Sequence, residues 1–221
     1  MAANSDAYQN IRKELAVTNT ALIAVSKTKP VEDILELYHL GQRDFGENYV
    51  QELAEKAAVL PNDIRWHFIG HLQSNKVKYI APFVHLIHGV DSFKLLQEIN
   101  KQAAKQSRLI ECLLQVYIAK EETKFGLDAE ELASLLKELS SANLNYVKIC
   151  GLMGMASFSD KLDIVRNEFK YLKGLFDKFD QPQTGNYNFQ TLSMGMSSDY
   201  KIAIEEGSTM VRIGSLIFGE R

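Results

Sequence analysis

The chain has 221 residues, of which 46% are hydrophobic, so it is long enough to bury a sizeable core in one domain. Its 25 basic and 28 acidic residues give a net charge of -3, which argues against a dedicated nucleic-acid-binding protein. The first residues are polar, and no apolar run approaches the roughly 20 residues of a membrane span. We therefore expect a cytoplasmic protein that binds a small molecule, with neither nucleic acid nor membrane as a partner.

The predicted elements alternate between short apolar strands and longer amphipathic helices, after a leading helix over about residues 6–17. The predicted strands lie at residues 22–26, 44–47, 65–69, 86–90, 111–117, 147–153, 191–194 and 210–213. This alternation predicts the α/β class and a single (β/α)8 TIM barrel over residues 1–221, with the leading helix as an addition. An open doubly wound sheet is the alternative, but the Gly-x-Gly-x-x-Gly fingerprint is missing after the first strand.

A lysine stands where the first predicted strand opens into a loop. Residues 21–25, Ala-Leu-Ile-Ala-Val, are followed by Ser-Lys-Thr-Lys-Pro at residues 26–30. Because the carboxyl ends of barrel strands surround the active site, Lys27 is placed for catalysis or for imine formation with an aldehyde. Attack on an aldehyde requires the neutral amine, which burial or a nearby cation such as Lys29 or Arg212 favours. The alternative is a solvated loop lysine.

Two segments near the end of the chain are rich in small residues. Gly195 and Ser197 follow the seventh predicted strand and precede a short helix at residues 199–206, while Gly214 and Ser215 follow the eighth strand. Backbone N–H groups at such positions bind anions, and barrel enzymes commonly hold a phosphate after their last two strands. Ordinary turn glycines are the alternative. A lysine that forms an imine, together with a phosphate site, points to pyridoxal phosphate, which is both an aldehyde and a phosphate ester.

Metal and disulfide chemistry are not predicted. His67 and His71 are four residues apart, but a change from strand to loop at Gly70 separates them and no neighbouring acidic residue or cysteine completes a ligand set. Cys112 and Cys150 lie in apolar runs outside any Cys-x-x-Cys motif. We predict both as buried, reduced thiols.

Five motifs in order along the chain carry a resemblance to a known family. They are Ala-Val-Ser-Lys-Thr-Lys-Pro, Phe-Gly-Glu-Asn-Tyr-Val-Gln-Glu, Trp-His-Phe-Ile-Gly-x-Leu-Gln-Ser-Asn-Lys, Gly-Leu-Met and Ser-Met-Gly-Met-Ser-x-Asp, which begin at residues 24, 45, 66, 151 and 193. With them the chain closely resembles the pyridoxal phosphate homeostasis proteins, which are single-domain relatives of the alanine racemase barrel. The resemblance extends from residue 21 to residue 219.

The resemblance implies a fold-type III barrel that holds pyridoxal 5′-phosphate (PLP) as an internal imine on Lys27. It implies that the phosphate contacts Ser193, Ser197, Gly214 and Ser215, that Arg212 faces the pyridine nitrogen and that Asn48 lines the cofactor. An arginine at the pyridine nitrogen keeps that nitrogen unprotonated, because the guanidinium does not give up its proton. The ring is then a poorer electron sink than one that faces a carboxylate, so carbanion chemistry is not strongly promoted.

The family also implies a role in intracellular PLP homeostasis by storage, shielding or delivery of the cofactor, with effects on amino-acid metabolism. PLP-dependent apo-enzymes would be its recipients, and we predict no catalytic residue. The larger racemases carry a second domain on which their dimer depends. Since this chain shows no such domain, we expect a monomer.

Two enzymatic alternatives remain open from the sequence. A single-domain amino-acid racemase of low activity would need proton-transfer groups on both faces of the substrate. Lys27 can serve one face, and Tyr49, His71 or Lys124 is a candidate for the other. A barrel aldolase would instead use Lys27 to form an imine with a phosphorylated sugar.

Overall fold

A computed structural model describes residues 3–119, 126–180 and 187–219 of the chain. Its strands are β1 (Ala21–Val25), β2 (Asp44–Glu47), β3 (Arg65–Phe68), β4 (Leu86–Val90), β5 (Ile110–Tyr117), β6 (Val147–Met155), β7 (Tyr187–Ser193) and β8 (Met210–Ile213). The α-helices are α1 (Ser5–Thr18), α2 (Val31–His39), α3 (Val50–Val59), α4 (Val77–Ile80), α5 (Phe93–Lys105), α6 (Ala129–Ser141), α7 (Leu162–Phe179), α8 (Tyr200–Glu205) and α9 (Ser215–Phe218). A 3-10 helix at Ser74–Lys76 precedes α4.

The strands form a closed parallel barrel in which each strand pairs with the next along the chain. The barrel closes where β8 pairs with β1, with Ile23 opposite Arg212. The (β/α)8 barrel predicted from the sequence is therefore confirmed, together with the additional N-terminal helix α1. Because the first and last strands are neighbours, the loops that follow them meet at the carboxyl end of the barrel.

The boundaries of β7 differ from the prediction. The strand begins at Tyr187 rather than at residue 191 and ends at Ser193. The polar residues Asn188 and Gln190 hid this segment from a search for apolar runs, but both side chains are exposed while Phe189 between them is buried. The strand therefore extends, with alternating exposed and buried residues, over a segment that the prediction left unassigned.

The hydrophobic core has two parts. The larger part lies between the barrel and the surrounding helices and includes Phe45, Trp66 and Phe169. A smaller cluster fills the interior of the barrel and consists of Leu86, Leu113, Cys150 and Met153. Apolar side chains thus occupy only part of the barrel interior, and the rest is polar.

Both cysteines are buried free thiols, as predicted. Burial raises the pKa of the Cys150 thiol to about 12, so this sulfur stays protonated at neutral pH. No helix among the described residues is long and apolar enough to cross a lipid bilayer.

The start of α6 offers a test of local stability. The Asp128 carboxylate accepts hydrogen bonds from the backbone N–H groups of Glu130 and Glu131, at 2.9 and 2.8 Å, and the Glu131 carboxylate accepts one from the Asp128 N–H. This capping box satisfies donors that the helix itself leaves unpaired. We expect Asp128→Ala to lower the free energy of unfolding by about 1 kcal/mol. Thermal unfolding measures the loss, and Ser134→Ala, at an exposed position in the same helix, should not reproduce it.

Candidate functional site

Lys27 lies two residues beyond the end of β1, on the rim formed by the carboxyl ends of the strands. Its side chain is half-buried. The next residue, Thr28, has a positive φ of 64°, a conformation that costs free energy for a residue with a Cβ. The Thr28 N–H donates a hydrogen bond of 2.5 Å to Glu52 Oε1, which helps to hold this turn. The backbone turn that carries Lys27 is therefore held in one conformation.

A buried ion pair behind Lys27 anchors the same turn. Lys56 Nζ donates hydrogen bonds to Ser26 O at 2.7 Å, to Glu47 Oε1 at 2.8 Å and to Glu52 Oε1 at 2.7 Å. The Ser26 hydroxyl donates a further bond of 2.6 Å to Glu47 Oε1. All three ammonium protons are thus engaged, and they join β1 and β2 to α3.

Burial in this arrangement disfavours the ionised form of the Glu47 carboxylate. Burial raises the pKa of the Glu47 carboxyl above its ordinary value, against the opposing effects of Lys56 and Ser26. Glu47 is fully buried, and its second oxygen, Oε2, accepts no hydrogen bond from any described residue. The ammonium of Lys56 is consequently the main compensation for a carboxylate that is removed from water.

Most of the predicted site residues line one cavity at the carboxyl end of the barrel. Its volume is about 510 Å³. The cavity is lined by Val25, Lys27, Lys29, Phe158, Met196, Ser197, Ser198, Arg212, Gly214, Ser215, Leu216 and Gly219. Among these are five of the seven residues predicted to bind a cofactor, namely Lys27, Ser197, Arg212, Gly214 and Ser215. The cavity therefore combines a lysine, an arginine and a segment of small residues.

Arg212 is held firmly at the base of this cavity. Its Nη1 donates hydrogen bonds to the Ser193 carbonyl at 2.8 Å and to Ser193 Oγ at 2.7 Å, and its Nη2 donates one of 3.0 Å to the Gly154 carbonyl. Burial lowers the pKa of the Arg212 guanidinium to about 10, so the group is still cationic at neutral pH. Its other N–H groups, including Nε–H, have no acceptor among the described residues and are available to a ligand.

The segments after β7 and β8 lie against each other. The Gly214 N–H donates a hydrogen bond of 3.2 Å to Ser197 Oγ, which links the two segments directly. Gly195 has a φ of 95°, and a Cβ at this position would lie 2.5 Å from the Ala203 Cβ, so the turn after β7 requires glycine. A Cβ at Gly214 would come within 3.3 Å of Val25. The two glycines keep backbone close to the cavity, where it can approach an anion.

Two of the predicted cofactor-binding residues lie elsewhere. Ser193 is fully buried, and its Oγ lies beneath Arg212 within 3.1 Å of His88 Nδ1 rather than beside Ser197 and Gly214. Asn48 lines a neighbouring cavity of about 380 Å³ that also includes Tyr49 and His71. The Asn48 Oδ1 atom is buried and finds no hydrogen-bond donor in the part of the chain that the structure describes, so it is a polar group that a ligand could satisfy.

The remaining candidate residues have other contacts. Lys29 Nζ donates hydrogen bonds to the carbonyls of Phe218 and Gly219, at 2.8 and 3.3 Å, and so ties the loop after β1 to α9. His71 lies 3.5 Å from Asp91, and half of its side chain is exposed. Lys124 lies outside the described residues.

The sequence prediction missed Glu47, Lys56 and His88. Glu52 and Lys56 are four residues apart on α3, which is a signal for an ion pair, but the buried partner Glu47 is supplied by another element. His88 had a clearer signal, because it is the polar residue within the otherwise apolar and glycine-containing β4. A polar side chain in a fully buried strand needs a hydrogen-bonding partner inside the barrel.

Comparisons place the chain among known proteins. The family model described as "Alanine racemase, N-terminal domain" matches residues 2–221. A pyridoxal phosphate homeostasis protein of Aquifex aeolicus is 43% identical over 201 residues, covering 90% of this chain and 86% of the relative. The protein of the same name from Homo sapiens is 39% identical over 221 residues, covering 95% of this chain and 79% of the relative.

A solved structure shows the same architecture. The structure of PipY from Synechococcus elongatus PCC7942, with PLP bound, superimposes with a TM-score of 0.87 and 36% sequence identity. The match covers 97% of this chain and 99% of PipY.

Proposed function

We propose that this chain, which belongs to the pyridoxal phosphate homeostasis proteins of the alanine racemase N-terminal domain family, binds PLP and controls its level in the cell. The observation that carries the proposal is that Lys27, Arg212 and the small residues after β7 and β8 line the same cavity. A volume of about 510 Å³ falls within the range of small-molecule sites. Storage, shielding and delivery to PLP-dependent apo-enzymes are the forms of control that we propose.

The residues present fit the cofactor group by group. Lys27 Nζ would hold it as an internal imine, by attack on the aldehyde carbon with loss of water. Arg212 would present its unpaired N–H groups to the pyridine nitrogen, and its cationic state would keep that nitrogen unprotonated. Ser197, Gly214 and Ser215 would hold the phosphate. When bound, the cofactor supplies a reactive aldehyde, and these residues keep the aldehyde covered.

The described lining of the cavity favours binding over racemisation. It contains neither tyrosine nor histidine among the described residues, and Tyr49 and His71 line the neighbouring cavity instead. A racemase would need a second proton-transfer group opposite Lys27. We therefore propose a PLP-binding protein without robust turnover. A single domain over residues 1–221 and a monomeric state remain our predictions.

The test of the proposed function is the visible spectrum of the purified protein. We expect an imine band near ~420 nm after addition of PLP, and covalent attachment of the cofactor to a peptide containing Lys27 after borohydride reduction. A protein that stays colourless with PLP, and is labelled only with an added sugar phosphate, would favour the aldolase. Deuterium exchange at the α-carbon of a common amino acid on a catalytic timescale would instead favour the racemase.

Ser197 provides a more local prediction. Replacing it with alanine removes the acceptor of the Gly214 N–H and a hydroxyl in the proposed phosphate site. We expect Ser197→Ala to raise the dissociation constant for PLP about threefold to tenfold, the range for loss of one hydrogen bond. A visible titration measures it. Ser198 is the matched control, because it lines the same cavity but is exposed; equal weakening by Ser198→Ala would contradict the assignment.

A further inference from the structure

The barrel interior is crossed by a continuous series of hydrogen bonds. Arg212 Nη1 on β8 lies 2.7 Å from Ser193 Oγ on β7. Ser193 Oγ lies 3.1 Å from His88 Nδ1 on β4, and His88 Nε2 lies 3.0 Å from His67 Nδ1 on β3. His67 Nε2 then lies 3.1 Å from Asp44 Oδ1 at the start of β2. We call these five residues the interior chain.

The two ends of the interior chain determine where each proton lies. Arg212 can only donate, and an ionised Asp44 can only accept. Burial opposes ionisation of Asp44, but hydrogen bonds from His67 and Arg65 outweigh it and hold the pKa of this carboxyl well below its usual range. The interior chain thus begins at the Arg212 cation and ends at the Asp44 anion.

The two imidazoles between these ends are oriented by their hydrogen-bond partners. Burial, together with the nearby His67 and Arg212, holds the pKa of His88 well below its usual range, so His88 is neutral. The arrangement that pairs every group has the Ser193 hydroxyl donating to His88 Nδ1. His88 Nε2–H then donates to His67 Nδ1, and His67 Nε2–H donates to Asp44. Every donor in the chain points from Arg212 towards Asp44.

An interior of this kind is unusual for a barrel, where branched apolar side chains normally fill the layers. Ser193, His88 and Arg212 are at most 4% exposed, and His67 is 1% exposed. Burying such groups is costly unless all of them are paired, and apolar side chains of similar volume would fill the same space without that requirement. Packing alone therefore does not account for these residues.

The hydrogen bonds of the interior chain fix the orientation of Arg212. Its Nη1 and Nη2 are fixed by Ser193 and Gly154, which determines the direction of the N–H groups that remain for a ligand. Ser193 Oγ is a stronger acceptor for Arg212 when its own proton is donated onward to His88, because successive hydrogen bonds polarise one another. The orientation of the guanidinium thus depends on side chains that do not line the cavity.

We propose that His88 and His67 are positioning residues for Arg212: with Ser193 they form a one-directional hydrogen-bond chain to Asp44 that fixes the guanidinium facing the cofactor ring. The role towards the cofactor rests on the proposed function. The interior chain is a property of the protein without ligand. Its existence and its role towards the cofactor can therefore be tested separately.

Charged and titratable groups around the chain must be considered in any test. His85 stacks edge-on against His67, with ring centroids 5.4 Å apart, and burial lowers its pKa. Arg65 pairs with Asp44, and Glu111 pairs with Lys148 near His85. His85 touches the chain without carrying one of its hydrogen bonds, which makes it the matched control.

Nitrogen NMR of the apo protein, labelled with ¹⁵N-histidine, tests the chain directly. The sequence has five histidines, so each signal can be assigned by single replacement. We expect His88 to be neutral at pH 7 with its proton on Nε2, from which it donates to His67 Nδ1. Ser193→Ala should remove this preference at His88, and His85→Phe should leave it unchanged. If Ser193→Ala does not fold, His67→Phe is the second variant. It keeps an aromatic ring at this position but removes the acceptor of His88 Nε2–H, so His88 should lose its tautomer preference in the same way.

The interior chain is refuted if the His88 proton lies on Nδ1 in the wild type. It is also refuted if neither Ser193→Ala nor His67→Phe changes the tautomer of His88. The role towards the cofactor is tested by adding PLP to the same sample. We expect the His88 signals to move and, in Ser193→Ala, the visible imine band to shift while the band of His85→Phe stays in place. An imine band that forms with no change at His88 overturns the positioning role and leaves the proposed function standing. Absence of any imine band refutes the proposed function, and the apo spectra still decide whether the chain exists.

Discussion

Replacing Lys27 with alanine is expected to abolish the imine band and the covalent trapping of PLP by borohydride. The reason is that the cavity then lacks the Lys27 amine that forms the imine, although Arg212 and the segment of Ser197 and Gly214 remain. Residual, non-covalent binding should persist, with affinity reduced at least tenfold, or about 1.4 kcal/mol. Visible absorbance, mass spectrometry after reduction and a titration with PLP measure the three quantities.

Lys29→Ala is the matched control for this prediction. Lys29 lines the same cavity two residues away, but its ammonium donates to the carbonyls of Phe218 and Gly219. We expect this variant to keep the imine band and to lose some stability where α9 meets the loop. If borohydride trapping disappears in Lys29→Ala and survives in Lys27→Ala, the imine forms on Lys29, and the assignment to Lys27 is wrong.

Replacing Lys56 with methionine is expected to lower the free energy of unfolding by about 3–5 kcal/mol at pH 8, because it leaves a buried carboxylate without its cation. Glu47 is the group left behind, with one oxygen already unpaired. Urea unfolding followed by circular dichroism measures the loss. Lys13→Met makes the same substitution on the exposed face of α1 and should change the free energy by less than about 0.5 kcal/mol.

This loss should depend on pH, with a sign that follows from Glu47. Its pKa is raised in the folded protein above the ordinary value of 4.5, so the folded state holds a proton more tightly than the unfolded state. Such a group removes stability as the pH rises from the unfolded pKa through the folded pKa. Removal of Lys56 extends that window upward, so the loss should be greatest at pH 8 and smallest near pH 4.5. Equal losses at both pH values would contradict this account, and adding Glu47→Gln to Lys56→Met should recover most of the stability at pH 8.

The fold could be predicted because its signals are local. The mainly apolar segments 86–90 and 210–213 form strands with the predicted limits. The prediction was wrong for β7, where Asn188 and Gln190 face solvent in a strand of alternating character. A search for continuous apolar runs cannot find a strand that is buried on one face only.

The site was harder to predict where a side chain's direction decides its role. Lys27 and Gly214 follow strand ends and Arg212 lies within β8, so topology alone brings them together. Ser193 was assigned to the phosphate from the family resemblance, and the structure shows that it is the last residue of β7 with its side chain hydrogen-bonded to Arg212 inside the barrel. Asn48 lies one residue beyond β2, where the cavity to which it belongs depends on the path of the loop.

The closure of the barrel has a consequence for when the protein acquires its site during synthesis. Lys29 bonds to Phe218 across a separation of 189 residues, and β1 pairs with β8 over the four residues Ala21–Ala24. A nascent chain that has not yet released β8 from the ribosome therefore has Lys27 but neither Arg212 nor Gly214. Such a chain has an amine without the walls that would retain an aldehyde. On the proposed function, capture of the ligand would then begin only after the last strand has left the ribosome.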